Sequence, residues 1–182
     1  MVETRNLRPA LLSDISALEA LINGAYRGDS SRRGWTTEAD LLGGQRIDEE
    51  MLREKISSAQ SVLLVATPED PSETILGCVY LERQGTDKCY LGLLTVNVDL
   101  QGKGIGDFLL RSGENWARAH FQSKRMCMTV FTVRPELLAW YERRGYRDCG
   151  ERIPFTYGDP KVGLPLRQDL EFAVLVKDLS PS

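Results

Sequence analysis

Histidine is almost missing: the 182 residues hold one, His120, beside four cysteines, Cys78, Cys89, Cys127 and Cys149, none in CxxC spacing. That scarcity of soft and imidazole ligands argues against a zinc centre, and no metal is expected. A basic excess is missing too. Lys and Arg number 23 against 26 Asp and Glu, for a net charge of −3, which gives no footing for a nucleic-acid partner. No apolar run approaches the roughly 18 residues of a membrane span, and "MVETRNLRPA" has no leader pattern. The expectation is a cytoplasmic protein with reduced thiols and no membrane partner. Internal repeats and low-complexity segments are also missing.

What is present reads as globular. Hydrophobic residues make up 42% and charged residues 27%. The length fits one domain over 1–182, long enough to bury a sizeable core. "TRNLRPA" is expected as a first strand, and Ser13-Asp14 as the cap of a helix bearing Ile15, Leu18, Leu21, Ile22 and Ala25. Asp48 is placed to cap a short helix through Ile56. "SVLLVAT", "TILGCVYLER" and "CYLGLLTVNV" read as strands, with turns at "PEDPSE" and "QGTDK". Ile105, Phe108, Leu109, Ser112, Trp116 and Ala119 form a helical stripe. "MCMTVFTV" is a strand, Pro135 opens a helix, and Gly145 suits a left-handed end to it. "LEFAVLVKDL" is the last strand. The order β-α-α-β-β-β-α-β-α-β-β gives an α/β chain of the α+β type: a mixed sheet with helices on its faces.

Gln101-Gly102-Lys103-Gly104-Ile105-Gly106 lies between a strand and a helix. A helix start leaves four backbone N–H groups unpaired at its positive end, and glycine lets the backbone close on an anion. The loop is therefore a candidate phosphate cradle, with Lys103 beside it. No Gly-Lys-Ser/Thr follows, so it is no P-loop, and GxGxG is out of register with the dinucleotide fingerprint. A tight turn without a ligand is the plain alternative.

"LLTVNVDLQGKGIGDFLL" resembles motif A of the GCN5-related N-acetyltransferase (GNAT) superfamily, Q/R-x-x-G-x-G/A, at Gln101, Gly104 and Gly106. About thirty residues on, "LLAWYERRGY" resembles its motif B, with Tyr141 to Tyr146 at the helix end. The resemblance implies a mostly antiparallel mixed sheet of six to seven strands, flanked by about four helices. It implies acetyl-CoA as co-substrate, with Leu94, Thr95, Val96, Gln101, Gly102, Lys103, Gly104, Ile105, Gly106 and Asp107 at the cofactor. Arg134 stands where many members have asparagine. It is expected either to contact the cofactor or a carboxylate, or to be an exposed strand-end arginine.

By the same resemblance, a primary amine of a small molecule or peptide attacks the thioester directly in a ternary complex. The Val96 N–H meets the oxyanion, and Tyr141 protonates the leaving thiolate. From the helix pattern alone, Tyr141 is a core aromatic. The strand into motif A carries no acid, so the base is open, with Glu82 and His120 as weak candidates. The segment 26–46 is expected to shape the acceptor pocket through Tyr26, Trp35, Thr36, Glu38 and Arg46. Arg46 or Arg33 would clamp a carboxylate, and Glu38 or Asp40 an amine. Arg32 and Arg33 read more simply as a solvated turn. Phe155 and Tyr157 either line the pocket or pack. The terminal strands of such folds often close the acceptor site or a dimer interface, so a homodimer is a candidate state. The rival reading is a non-catalytic acyl-CoA-binding or regulatory module.

Overall fold

A computed structural model describes residues 5–69 and 74–180. In chain order the elements are β1 (Asn6–Pro9), α1 (Ile15–Tyr26), α2 (Gly28–Ser31), β2 (Leu42–Gly43), α3 (Glu49–Ser57), β3 (Ser61–Thr67) and β4 (Gly77–Gln84). There follow β5 (Lys88–Val96), α4 (Ile105–Phe121), β6 (Arg125–Phe131), α5 (Pro135–Glu142), β7 (Arg147–Pro154), β8 (Leu164–Pro165) and β9 (Glu171–Asp178). Among the described residues, seven strands form one sheet in the order β1-β3-β4-β5-β6-β9-β7, and β2 with β8 forms a small two-stranded clasp.

Strand alternation builds a core on both faces. Leu64 and Ala66 pack towards α4 and α5 with Ile105, Leu109, Tyr141 and Tyr146. Their neighbours Leu63 and Val65 pack towards α1 and α3 with Leu18, Ile22 and Leu52. Each fully buried leucine or isoleucine contributes roughly 1.5–3 kcal/mol against leaving it in water. Asp48 caps α3 as its position predicts, accepting from Met51 N–H at 2.8 Å.

Three sequence expectations need correction. Asp14 sits at the start of α1, but its carboxylate accepts from Leu11 N–H at 2.8 Å and pairs with Arg8 rather than capping α1. The Arg8 guanidinium holds that carboxyl below its ordinary value. The buried face of α4 is Ile105, Leu109, Leu110, Gly113, Glu114 and Ala117, so Ala119 is exposed. Glu114 interrupted the apolar pattern, yet it is buried, accepting from Tyr146 Oη at 3.0 Å and Lys177 Nζ at 2.8 Å. The strand expected between the Pro135 helix and the last strand had no assigned position and falls at β7, where every residue is exposed and no apolar alternation marks it; the clasp was not foreseen. Most of the "PEDPSE" turn lies outside the described residues.

Two irregularities position the site. All neighbours in the large sheet are antiparallel except β5 and β6, which run parallel and pair only over Lys88–Tyr90 with Arg125–Cys127. Beyond Tyr90 the two strands part. Just there β5 bulges against β4, with Leu93 at φ +48°. A bulge re-aims main-chain groups at the point where the ladder ends.

Candidate active site

Two cavities meet in this split. One, of about 360 Å³, lies under the glycine loop, walled by Val96, Gln101, Gly102, Gly104, Ile105, Gly106, Asp107, Trp35, Thr36, Trp140 and Arg144. The other, of about 250 Å³, is lined by Arg27, Glu38, Leu42, Arg46, Tyr90, Met128, Phe131, Arg134, Phe155 and Phe172, among others. Tyr26, Leu94, Leu137 and Tyr141 belong to both.

The glycine loop is shaped as an anion cradle. Gly102 and Gly104 sit at φ +80° and +78°, in the left-handed region where a side chain is strained. Gly104 is the cap of α4, and that helix presents its first-turn amides to the cavity. Asp107 in that first turn would repel a phosphate on its own. Its carboxylate is flanked by Arg144 Nε at 2.9 Å and Arg111 Nε at 2.9 Å, so the local charge is positive. Arg144 also lies flat on Trp140, its Cζ 3.7 Å from the ring centroid.

The segment around Trp35 is tied over this cradle. Trp35 N–H donates to Gln101 Oε1 at 3.0 Å, and Gln101 Nε2 donates to Thr36 Oγ1 at 3.0 Å. Arg33 pairs with Asp99 at 2.8 Å. Arg134 is buried rather than exposed at a strand end. It donates through Nε to Glu136 at 2.8 Å, and through Nη2 and Nη1 to the carbonyls of Trp35 and Thr36 at 3.0 and 3.4 Å. Trp35 is thereby held with its ring centroid 6.1 Å from that of Trp140.

The predicted site residues divide accordingly. Leu94, Val96, Gln101, Gly102, Gly104, Ile105, Gly106 and Asp107 line the cradle cavity. Thr95 is buried, with its hydroxyl on Leu93 O at 3.0 Å, and Lys103 is exposed; neither lines a cavity. Trp35 and Thr36 wall the cradle side alone, Glu38, Arg46 and Arg134 the other side, and Tyr26 both. Phe155 lines the second cavity, while the Tyr157 hydroxyl accepts from Leu170 N–H at 3.0 Å. Glu82 accepts from Tyr80 Oη at 2.6 Å, and His120 stacks on Trp116 at 3.9 Å; both stand outside the two cavities. Arg27, Tyr90, Leu137, Trp140 and Arg144 were missed. The last three had a signal, since positions 137, 140, 141 and 144 share one helical face with Tyr141.

Tyr141 makes no side-chain hydrogen bond among the described residues, and burial pushes its phenol well above the ordinary value. Tyr26 donates to Leu94 O at 2.6 Å, and burial, followed by the Glu38 charge, pushes it up to about 12. Both phenols are neutral donors at physiological pH. Among the described residues no group of three or more His, Cys, Asp and Glu is arranged to hold a metal.

Residues 34–156, which carry the splayed strands and the glycine cradle, match the family model described as "Acetyltransferase (GNAT) domain". The chain belongs to this family of acetyltransferases. Solved structures repeat its fold at low identity. An N-acetyltransferase from Staphylococcus aureus Mu50 superposes with TM-score 0.70 at 10% identity, covering 97% of this chain and 98% of that one. A mutant spermidine N-acetyltransferase from Vibrio cholerae gives 0.68 at 13%, covering 97% and 94%. A GNAT-family acetyltransferase, also from Staphylococcus aureus Mu50, gives 0.65 at 15%, covering 97% and 100%. No curated protein matches this chain in sequence.

Proposed function

We propose that residues 1–182 form one acyltransferase domain that moves the acetyl group of acetyl-CoA to a primary amine of a small molecule or peptide, both substrates being bound together. The observation that carries this reading is the meeting of the two cavities at Leu94 and Tyr141. One is suited to a diphosphate and the other to an amine. The sheet's continuity from β1 to β9 supports the single domain. The free cysteines support the reducing cytoplasm.

The residues fit coenzyme A. After Tyr90 the β6-facing edge of β5 has no ladder partner among the described residues, so its main chain is available to an amide-bearing arm, as a strand edge is to a peptide. The amides of Gln101 to Gly106 take the diphosphate, with Arg144 beside them. Acetyl-CoA supplies an activated acyl carbon and a thiol leaving group.

The chain supplies the rest. The second cavity holds the amine, and Glu38, the only carboxylate on its wall among the described residues, attracts the ammonium. The amine loses one proton before attack and a second as the amide forms. The N–H of Val96, just past the bulge, stabilises the oxyanion. Tyr141 gives its proton to the departing sulfur and is restored from solvent, which leaves one net proton released.

Thermal denaturation with acetyl-CoA, ATP or NAD tests the cradle, because a ligand of the native state raises the melting temperature. An amine panel with thiol detection tests transfer. Stabilisation by acetyl-CoA together with thiol release is expected. Stabilisation by ATP or NAD alone would overturn the reading, and acetyl-CoA binding without thiol release from any amine would favour the non-catalytic module.

A further inference from the structure

The charge on the acceptor wall carries the reading one step further, to the class of amine. Three arginines, Arg27, Arg46 and Arg134, face this cavity; Glu38 pairs with Arg27 and Glu136 with Arg134, which leaves the positive charge of Arg46 in excess. A polycationic amine meets repulsion there.

The arginines differ in what they have left to offer. Arg134 is occupied with Glu136 and two carbonyls. Arg27 is 6% exposed and pairs through Nη1 with Glu38, but its Nε and Nη2 are buried without a hydrogen-bond partner among the described residues. Buried guanidinium donors are rarely left so, because each unmet donor is costly. Arg46 forms no side-chain hydrogen bond or ion pair among the described residues. Its Cζ lies 5.9 Å from the centroid of the Tyr26 ring, at the junction of the cavities. Arg46, a guanidinium on the cavity wall with all its donors unused, suits a planar anion with several lone pairs, and a carboxylate is the matching group. The remaining wall is apolar: Leu42, Met128, Val130, Phe131, Phe155 and Phe172.

We infer that the acceptor is an amino acid with an apolar side chain, its carboxylate held by Arg46 and its ammonium on the Glu38 side. The inference rests on the acetyl-transfer reading for the fate of the amine, but not for the recognition of the acid.

The test has two arms. In the first, leucine, methionine and phenylalanine are each compared with the corresponding amide, and all with spermidine, using acetyl-CoA and thiol detection. At least one free acid is expected to exceed its amide tenfold or more in kcat/KM. Arg46→Met is expected to cut that acid-to-amide ratio at least tenfold, with the loss falling on KM. Amides equal to their acids, spermidine as the best acceptor, or a ratio unchanged in Arg46→Met would each overturn the inference. Arg27→Gln strands Glu38 and risks misfolding, so Arg46 carries the test.

The second arm needs no turnover. N-acetylleucine and N-acetylleucinamide are titrated calorimetrically into the protein with coenzyme A present. The acid is expected to bind at least tenfold tighter, and equal affinities, or no binding of the acid, would sink the pocket. Acid-selective binding with no thiol release from any amine would instead overturn the transferase reading and leave the pocket standing.

Discussion

The two cavities are built in opposite ways. The cradle draws its floor from one short stretch, Leu94 to Asp107, and does much of its work with main-chain amides. The second cavity, where the acceptor is proposed to bind, gathers side chains from α1, the segment from Arg27 through β2 to Arg46, the parted ends of β5 and β6, Arg134 and α5, the residues after β7, and β9. A main-chain cradle depends on backbone shape, so it reads as a glycine pattern. A side-chain pocket depends on which distant elements the sheet brings together, so its residues leave no spacing behind. The first kind of site is suited to a ligand shared across a family, and the second to one that varies.

The largest effect is expected where the two regions meet. Tyr141→Phe removes the proton donor and is expected to lower kcat by roughly 10²–10⁴-fold. The dissociation constant of acetyl-CoA, measured by calorimetry, should stay within about threefold. Equal turnover would remove Tyr141 from the chemistry and make it a packing residue on the shared wall.

Gly104→Val probes the cradle alone. A β-branched residue at φ +78° is strained by about 1–3 kcal/mol. Acetyl-CoA affinity is expected to fall about tenfold or more, with the acceptor KM little changed. An unchanged affinity would mean that this backbone shape does not hold the nucleotide.

Trp35→Ala should be milder. The Trp35–Trp140 contact is worth about 1 kcal/mol. Because Trp35 walls the cradle and not the acceptor cavity, the change should raise the acetyl-CoA KM about fivefold. A rise confined to the acceptor KM would reverse that placement and return Trp35 to the acceptor side.

The smallest expected effect is on the alkaline side of the pH profile. As the proposed donor Tyr141 would act protonated, and because burial raises its pKa, activity would be lost only above that raised value. Initial rates should therefore climb as the ammonium deprotonates and show no falling limb up to about pH 10. A falling limb near pH 8 would assign the proton donation to another group.

Much of the fold was legible. The buried apolar strand at Ser61–Thr67 and the Asp48 cap are local consequences of side-chain type, and the structure repeats them. The bounds of β7 were hidden because both its faces are exposed, and the buried side of α4 because Glu114 is a polar residue in the core. No local pattern announces that Lys177 and Tyr146 will be there to receive it.

By itself the sequence determined the shape of the glycine loop, since glycine takes the positive φ at 102 and 104 without the strain a side chain brings, and a helix start needs no partner to expose its amides. It also determined the family, because two motifs stand at the family's separation. Tertiary structure decided the rest. Gln101 lies in the motif, yet its side chain holds the segment at Gly34–Thr36, whose contacts come from across the chain. Arg27, Glu38 and Arg46 face one another's cavity only because the sheet lays α1 and the segment after it against the split between β5 and β6. Charges that far apart in sequence interact through the space the fold encloses, and that space is not written in any one stretch of residues.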